Sequence, residues 1–171
     1  MLKLETMGTR CNSAIVAIGA VEFDEDLGII DRFYETVDLQ SCLDKGLDVT
    51  GETVTWWMKQ SEEARRYICK DNISLKDVLK AFQDWVGKEN VQIWGNGAAF
   101  DNAILKNAYT KFKVDNPWPH QSDRCYLTIK NSFGQVELKR EGTFHNASTN
   151  AEHQANHLIK LVQKHKLKGM L

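Results

Sequence analysis

Three short stretches, far apart along the chain, carry side chains able to do chemistry. The first is Glu5, at the end of the opening run Met1-Leu2-Lys3-Leu4-Glu5. Burying a carboxylate among apolar residues costs several kcal/mol unless it is paired or bound to a metal. The alternative is an edge strand with Glu5 in water. The second stretch is Gly95-Asn96-Gly97-Ala98-Ala99-Phe100-Asp101-Asn102, where a short apolar run hands over to a helical pattern. Ligands gather at such junctions in α/β folds, and the two glycines permit backbone geometries other residues resist. Asp101 could equally do no more than cap the following helix. The third stretch, His145-Asn146-Ala147-Ser148-Thr149-Asn150, leads into the last helical pattern. A His there is placed to act as a general base beside a metal-bound water, although alone it also fits a surface loop. His153 and His157 share a helix face, but no HExxH glutamate joins them, so a zinc site is not expected.

These stretches need elements to position them. The opening run alternates, with Leu2 and Leu4 on one face and Lys3 and Glu5 on the other. Residues 14–23 and 29–37 form two further β-type runs around the polar, glycine-ended loop Asp24-Glu25-Asp26-Leu27-Gly28. Three successive strands imply an antiparallel meander. Residues 53–68 follow a helical pattern, and Ser74 with Asp77 resembles a capping box opening a helix that runs to Gly87. Val91-Gln92-Ile93-Trp94 reads as a short buried strand. Residues 100–112, 123–132 and 151–167 read as helices. The whole implies a mixed α/β sheet covered by helices, in a single domain spanning 1–171.

Composition narrows the class. The 171 residues suffice for a core without disulfide or metal staples. Hydrophobic residues make up 42% and charged residues 26%, which rules out wholesale disorder and rod-like structures. Lys and Arg number 22 against 23 Asp and Glu, so the chain does not coat nucleic acid by charge alone. A local grip on a strand end stays open. No apolar run is long enough for a membrane span, and the signal-peptide layout is missing, so a cytoplasmic location is expected. The four cysteines lack CxxC spacing and read as free thiols.

Taken together, the three stretches resemble the DEDDh exonucleases, the RNase H-like superfamily that removes nucleotides from 3′ ends with two magnesium ions. The resemblance covers nearly the whole chain. Leu4-Glu5-Thr6-Met7-Gly8-Thr9 resembles motif I, Asp-x-Glu-Thr in the family. Asn96 to Asp101 resembles motif II, and His145 to Asn150 resembles motif III, His-x4-Asp. The small bacterial and phage branch of 3′–5′ exoribonuclease-like proteins is closer still. It shares Thr-Val-x-Trp-Trp at residues 53–57, Trp94-Gly95-Asn96-Gly97 and Asp123-Arg124-Cys125-Tyr126. The resemblance implies an RNase H-like mixed sheet, with an antiparallel β1–β3 meander plus parallel strands, flanked by helices. It implies Glu5, Asp101 and His145 as catalytic residues and Glu5 and Asp101 as ligands of Mg²⁺ or Mn²⁺. It also implies Thr6, Met7, Trp57, Asn96 and Phe100 around a nucleic acid 3′ end or a nucleoside monophosphate. Trp56 and Trp57 diverge by about 100° on a helix, so at most one faces the site; Trp57 is the one expected there, with core packing the alternative for either. Arg124 and Lys130 are candidates for phosphate contact, and Asp123 for an auxiliary acid. A homodimer is common in this branch and is expected.

Two positions depart from the family pattern. The first Asp of motif I falls on Lys3, and the last Asp of motif III falls on Asn150. Where the family set contributes four negative charges, Lys3, Glu5, Asp101 and Asn150 together carry −1. Asn150 still offers a neutral carbonyl oxygen, but Lys3 puts a cation where a cation should bind. Unit charges 4 Å apart interact by about 4 kcal/mol at an effective dielectric of about 20, and a divalent ion doubles that. Lys3 is instead expected to pair with Glu5 or Asp101 and fill the role of the missing metal. The expectation is a folded 3′–5′ exonuclease-like domain, RNA favoured over DNA, with metal binding weakened and hydrolysis weak or absent. An active Mg²⁺-dependent exonuclease with an atypical site and a non-catalytic interaction scaffold are the alternatives.

Overall fold

The computed structural model describes residues 1–87, 91–133, 136–138, 146–167 and 169–171. The chain opens in strand β1 (Leu2–Thr6), followed by β2 (Ile15–Asp24) and β3 (Gly28–Thr36). Helices α1 (Leu39–Leu43), α2 (Gly51–Met58), α3 (Glu62–Tyr67) and α4 (Leu75–Val86) come next. Strand β4 (Ile93–Gly95) leads into α5 (Asp101–Phe112). Strand β5 (Asp123–Cys125) leads into α6 (Tyr126–Phe133), and α7 (Ala147–His165) closes the order. The sheet order is β3-β2-β1-β4-β5. β1 to β3 are antiparallel neighbours, whereas β4 runs parallel to β1 and β5 parallel to β4. This mixed sheet with helices around it has the α/β RNase H-like arrangement.

The two-residue period of the strands sorts the core into two layers. Leu2, Leu4, Ile18 and Ala20 pack with Val78, Leu79 and Phe82 of α4 and Ile104, Leu105 and Tyr109 of α5. On the opposite face Ala17 and Val21 meet α7 through Ala147, Ala151, Ala155, Leu158 and Val162, and Val16 joins them where the register with β1 shifts and breaks the period. Each of these larger side chains contributes about 1.5–3 kcal/mol by leaving water. Lys3 and Glu5 alternate with Leu2 and Leu4 and so belong to the α7 face, as the alternation predicts. Being central, β1 buries Glu5 to 7% exposure, which disposes of the edge-strand alternative.

Three local expectations needed correcting. The pattern over 53–68 is two helices, because Ser61 caps α3 by accepting from the Ala64 amide and so restarts the helix. Residues 123–125 are a strand before α6 starts, since parallel pairing with β4 takes them first. The last helix begins at Ala147, four residues earlier than the apolar period shows, because the Asn146 side chain caps it. The Ser74 cap is as expected, accepting from the Asp77 amide. All four cysteines are free, and no described helix is long and apolar enough to cross a membrane.

Candidate active site

The site forms where β1 ends, between the β4–α5 junction and the N-terminus of α7. Gly97 has φ +91°, in the left-handed region that favours glycine, and it turns the chain between β4 and α5. The turn delivers Asp101 to the first position of α5, fully buried. Asp101 does not cap its helix, whose N-cap is Phe100 with no side-chain bond. Its Oδ1 instead accepts from the Leu4 amide at 2.9 Å, and Oδ2 from the Asn96 amide at 3.1 Å. The Lys3 ammonium completes the set, with Nζ 3.0 Å from Oδ1 and 5.4 Å above the Phe100 ring. Burial pushes the Asp101 carboxyl up from its ordinary range, while Lys3 and the two amides pull it back.

Glu5 is reached from the other side by α7. Gly19 makes this approach feasible: a Cβ there would stand 2.3 Å from the Ala147 carbonyl carbon. A lone glycine inside a strand run signals close approach of another backbone, a clue available in the sequence but not used. With α7 seated against β2, Asn150 in its first turn donates Nδ2 to Glu5 Oε1 at 3.2 Å, both residues being buried. The structure thus brings Lys3, Glu5, Asp101 and Asn150 together in two donor–carboxylate pairs. His145, expected as the base, lies outside the described residues.

Thr6 and Met7 follow Glu5 at the site's rim. Thr6 Oγ1 donates to the Gly8 carbonyl at 2.7 Å, and the Met7 carbonyl accepts from the Thr50 amide at 2.8 Å. The structure places the two tryptophans differently. Trp57 is 4% exposed, packs with Val16 and Ala17, and donates its indole N–H to the Thr6 carbonyl at 3.0 Å. It therefore offers no open ring face and instead fixes the backbone at the end of β1. Trp56, edge-on to Trp57 at 5.1 Å, is 41% exposed.

Asp123 starts β5 opposite Ile93, two residues before the level of Gly95. It accepts from Asn102 Nδ2 and Trp118 Nε1, each at 2.9 Å, and from the Lys106 ammonium. Burial raises its carboxyl, but these donors outweigh it and hold it below its ordinary value. Arg124 is engaged by Gln92 and by the carbonyls of Gln121 and Asp123, while Lys130 is exposed on α6. Asn102 was not singled out in the sequence, yet its Nδ2 also reaches the Ile93 carbonyl and ties α5 to β4.

As a donor set for a pair of divalent ions, the described residues do not fit. An ammonium already stands against Asp101, and an amide N–H against Glu5. Among the described residues, no group of three His, Cys, Asp or Glu is arranged to hold a metal.

The fold is that of an α/β RNase H-like protein, and the comparisons give the family. Residues 1–162 match the Rv2179c-like 3′–5′ exoribonuclease domain, and the chain belongs to that family. An Exodeoxyribonuclease of Enterobacteria phage T4 is 31% identical over 120 residues, covering 61% of this chain and 52% of that protein. The chain thus spans about half the length of the curated relative it matches.

Proposed function

We propose that this domain binds the 3′ end of a nucleic acid, RNA in preference to DNA, and hydrolyses it weakly or not at all. The observation behind the reading is the Lys3–Asp101 ion pair. Hydrolysis by two metals needs both ions about 3.5–4 Å apart, one for the water and one for the leaving oxygen. A lysine at one ligand position repels such an ion, and Asn150 supplies no charge to offset this. Substrate contact does not depend on those charges alone. Thr6, Met7, Asn96 and Phe100 flank the two carboxylates and are assigned to the terminal nucleoside. Trp56 replaces Trp57 as the stacking residue, a contact worth about 1–3 kcal/mol per base.

The family match favours a second reading, an active exonuclease with an atypical site. A paired assay separates the two, using the wild type and its Lys3→Asp/Asn150→Asp double variant on 3′-labelled RNA and DNA with Mg²⁺. The proposal expects oligonucleotide binding by both proteins, surviving EDTA in the wild type, and cleavage by the double variant alone. Equal cleavage by both proteins establishes the active enzyme instead.

A further inference from the structure

Asp101 is completely enclosed, yet it meets three N–H donors, of which the Lys3 ammonium alone brings a charge. Lys3 reaches it from the middle of β1, with 18% of its side chain exposed and the Phe100 ring beneath the ammonium. The pair spans 98 positions of sequence and joins the central strand to the start of α5. The second carboxylate, Glu5, receives an amide donor from α7. A charge buried without a partner is strongly destabilising, so an acidic corner of this fold needs a cation from somewhere. In a protein with aspartate at position 3, that cation has to come from solution.

We infer that Lys3 is a resident counter-ion: its ammonium replaces a solution divalent cation at Asp101, which makes assembly of this corner independent of metal. The inference rests on the same ion pair as the proposed function, but every readout below is taken without nucleic acid present, so the two can fail separately. A metal that binds only the folded state raises stability in proportion to ln(1 + [metal]/Kd), so metal dependence is visible in the melting temperature. Thermal unfolding of the wild type is expected to give one Tm in EDTA, millimolar Mg²⁺ and millimolar Mn²⁺. Lys3→Asp is expected to melt several degrees lower in EDTA and to recover on adding either ion. Lys3→Met is expected to melt lower in all three conditions, with much of the loss regained in Lys3→Met/Asp101→Asn, where no charge is left unpaired.

A wild-type Tm raised by several degrees with Mg²⁺ or Mn²⁺ overturns the inference. So does a Lys3→Asp Tm indifferent to both ions, or a Lys3→Met variant as stable as the wild type. If the Lys3 variants do not fold, the wild type alone still decides, through its amide NMR spectrum in the presence of Mn²⁺. No selective broadening at Leu4, Asn96 and Asp101 is expected. Selective broadening there means a metal occupies the position assigned to Lys3.

Discussion

Two Asp–Lys pairs lie a short way apart in this fold, and they behave oppositely. Asp101 with Lys3 has side-chain exposures of 0% and 18%, whereas Asp123 with Lys106 has 28% and 25%. Each lysine also lies over an aromatic ring, Phe100 in one case and Trp118 in the other. Burial leaves the Asp101 carboxyl raised in spite of three donors, while the donors around Asp123 hold its carboxyl down. Water accounts for the contrast. At Asp101 the partners mainly offset desolvation, so their removal exposes the full penalty. At Asp123 water shares the work, and the pair contributes little that solvent cannot replace. The same residue types therefore make an obligatory contact in one place and a dispensable one in the other.

That contrast can be broken by substitution. Lys3→Met strands a buried carboxylate and is expected to destabilise by about 3–5 kcal/mol, read by urea unfolding. Asn102→Ala comes next, at about 1–3 kcal/mol, because it takes a side-chain donor from the buried Ile93 carbonyl and leaves Asp123 Oδ1 with Trp118 Nε1 in place of two donors. Lys106→Met is expected to cost about 1 kcal/mol or less. Equal losses from Lys3→Met and Lys106→Met would remove the distinction between the pairs. The smallest effect is on pH. Because the folded value for Asp123 lies below its ordinary 3.8, its contribution is complete above that value and is lost as pH falls through the folded one. Asp123→Asn is accordingly expected to flatten the acid limb of the stability–pH curve.

Much of the site was legible in sequence because its parts obey local rules. Alternation in residues 1–5 put Lys3 and Glu5 on one face, and the glycines around Asn96 marked the turn that delivers Asp101. The resemblance then joined stretches nearly 150 positions apart, which local pattern alone does not do. Other features depend on tertiary partners. Whether Asp101 caps its helix or turns inward is decided by the Leu4 and Asn96 amides, which are invisible in a helix pattern. Trp56 and Trp57 are the same residue type one position apart, and tertiary partners of Trp57, among them Val16, Ala17 and the Thr6 carbonyl, decide which is buried. The three residues of β5 are too short to show a period, and their strand character comes from the register with β4.

Magnesium titration followed by calorimetry tests the central claim most directly. With Lys3 against Asp101 and Asn150 against Glu5, the wild type is expected to show no two-site binding, while Lys3→Asp/Asn150→Asp is expected to acquire it. Two magnesium ions bound by the wild type with micromolar affinity would contradict the account.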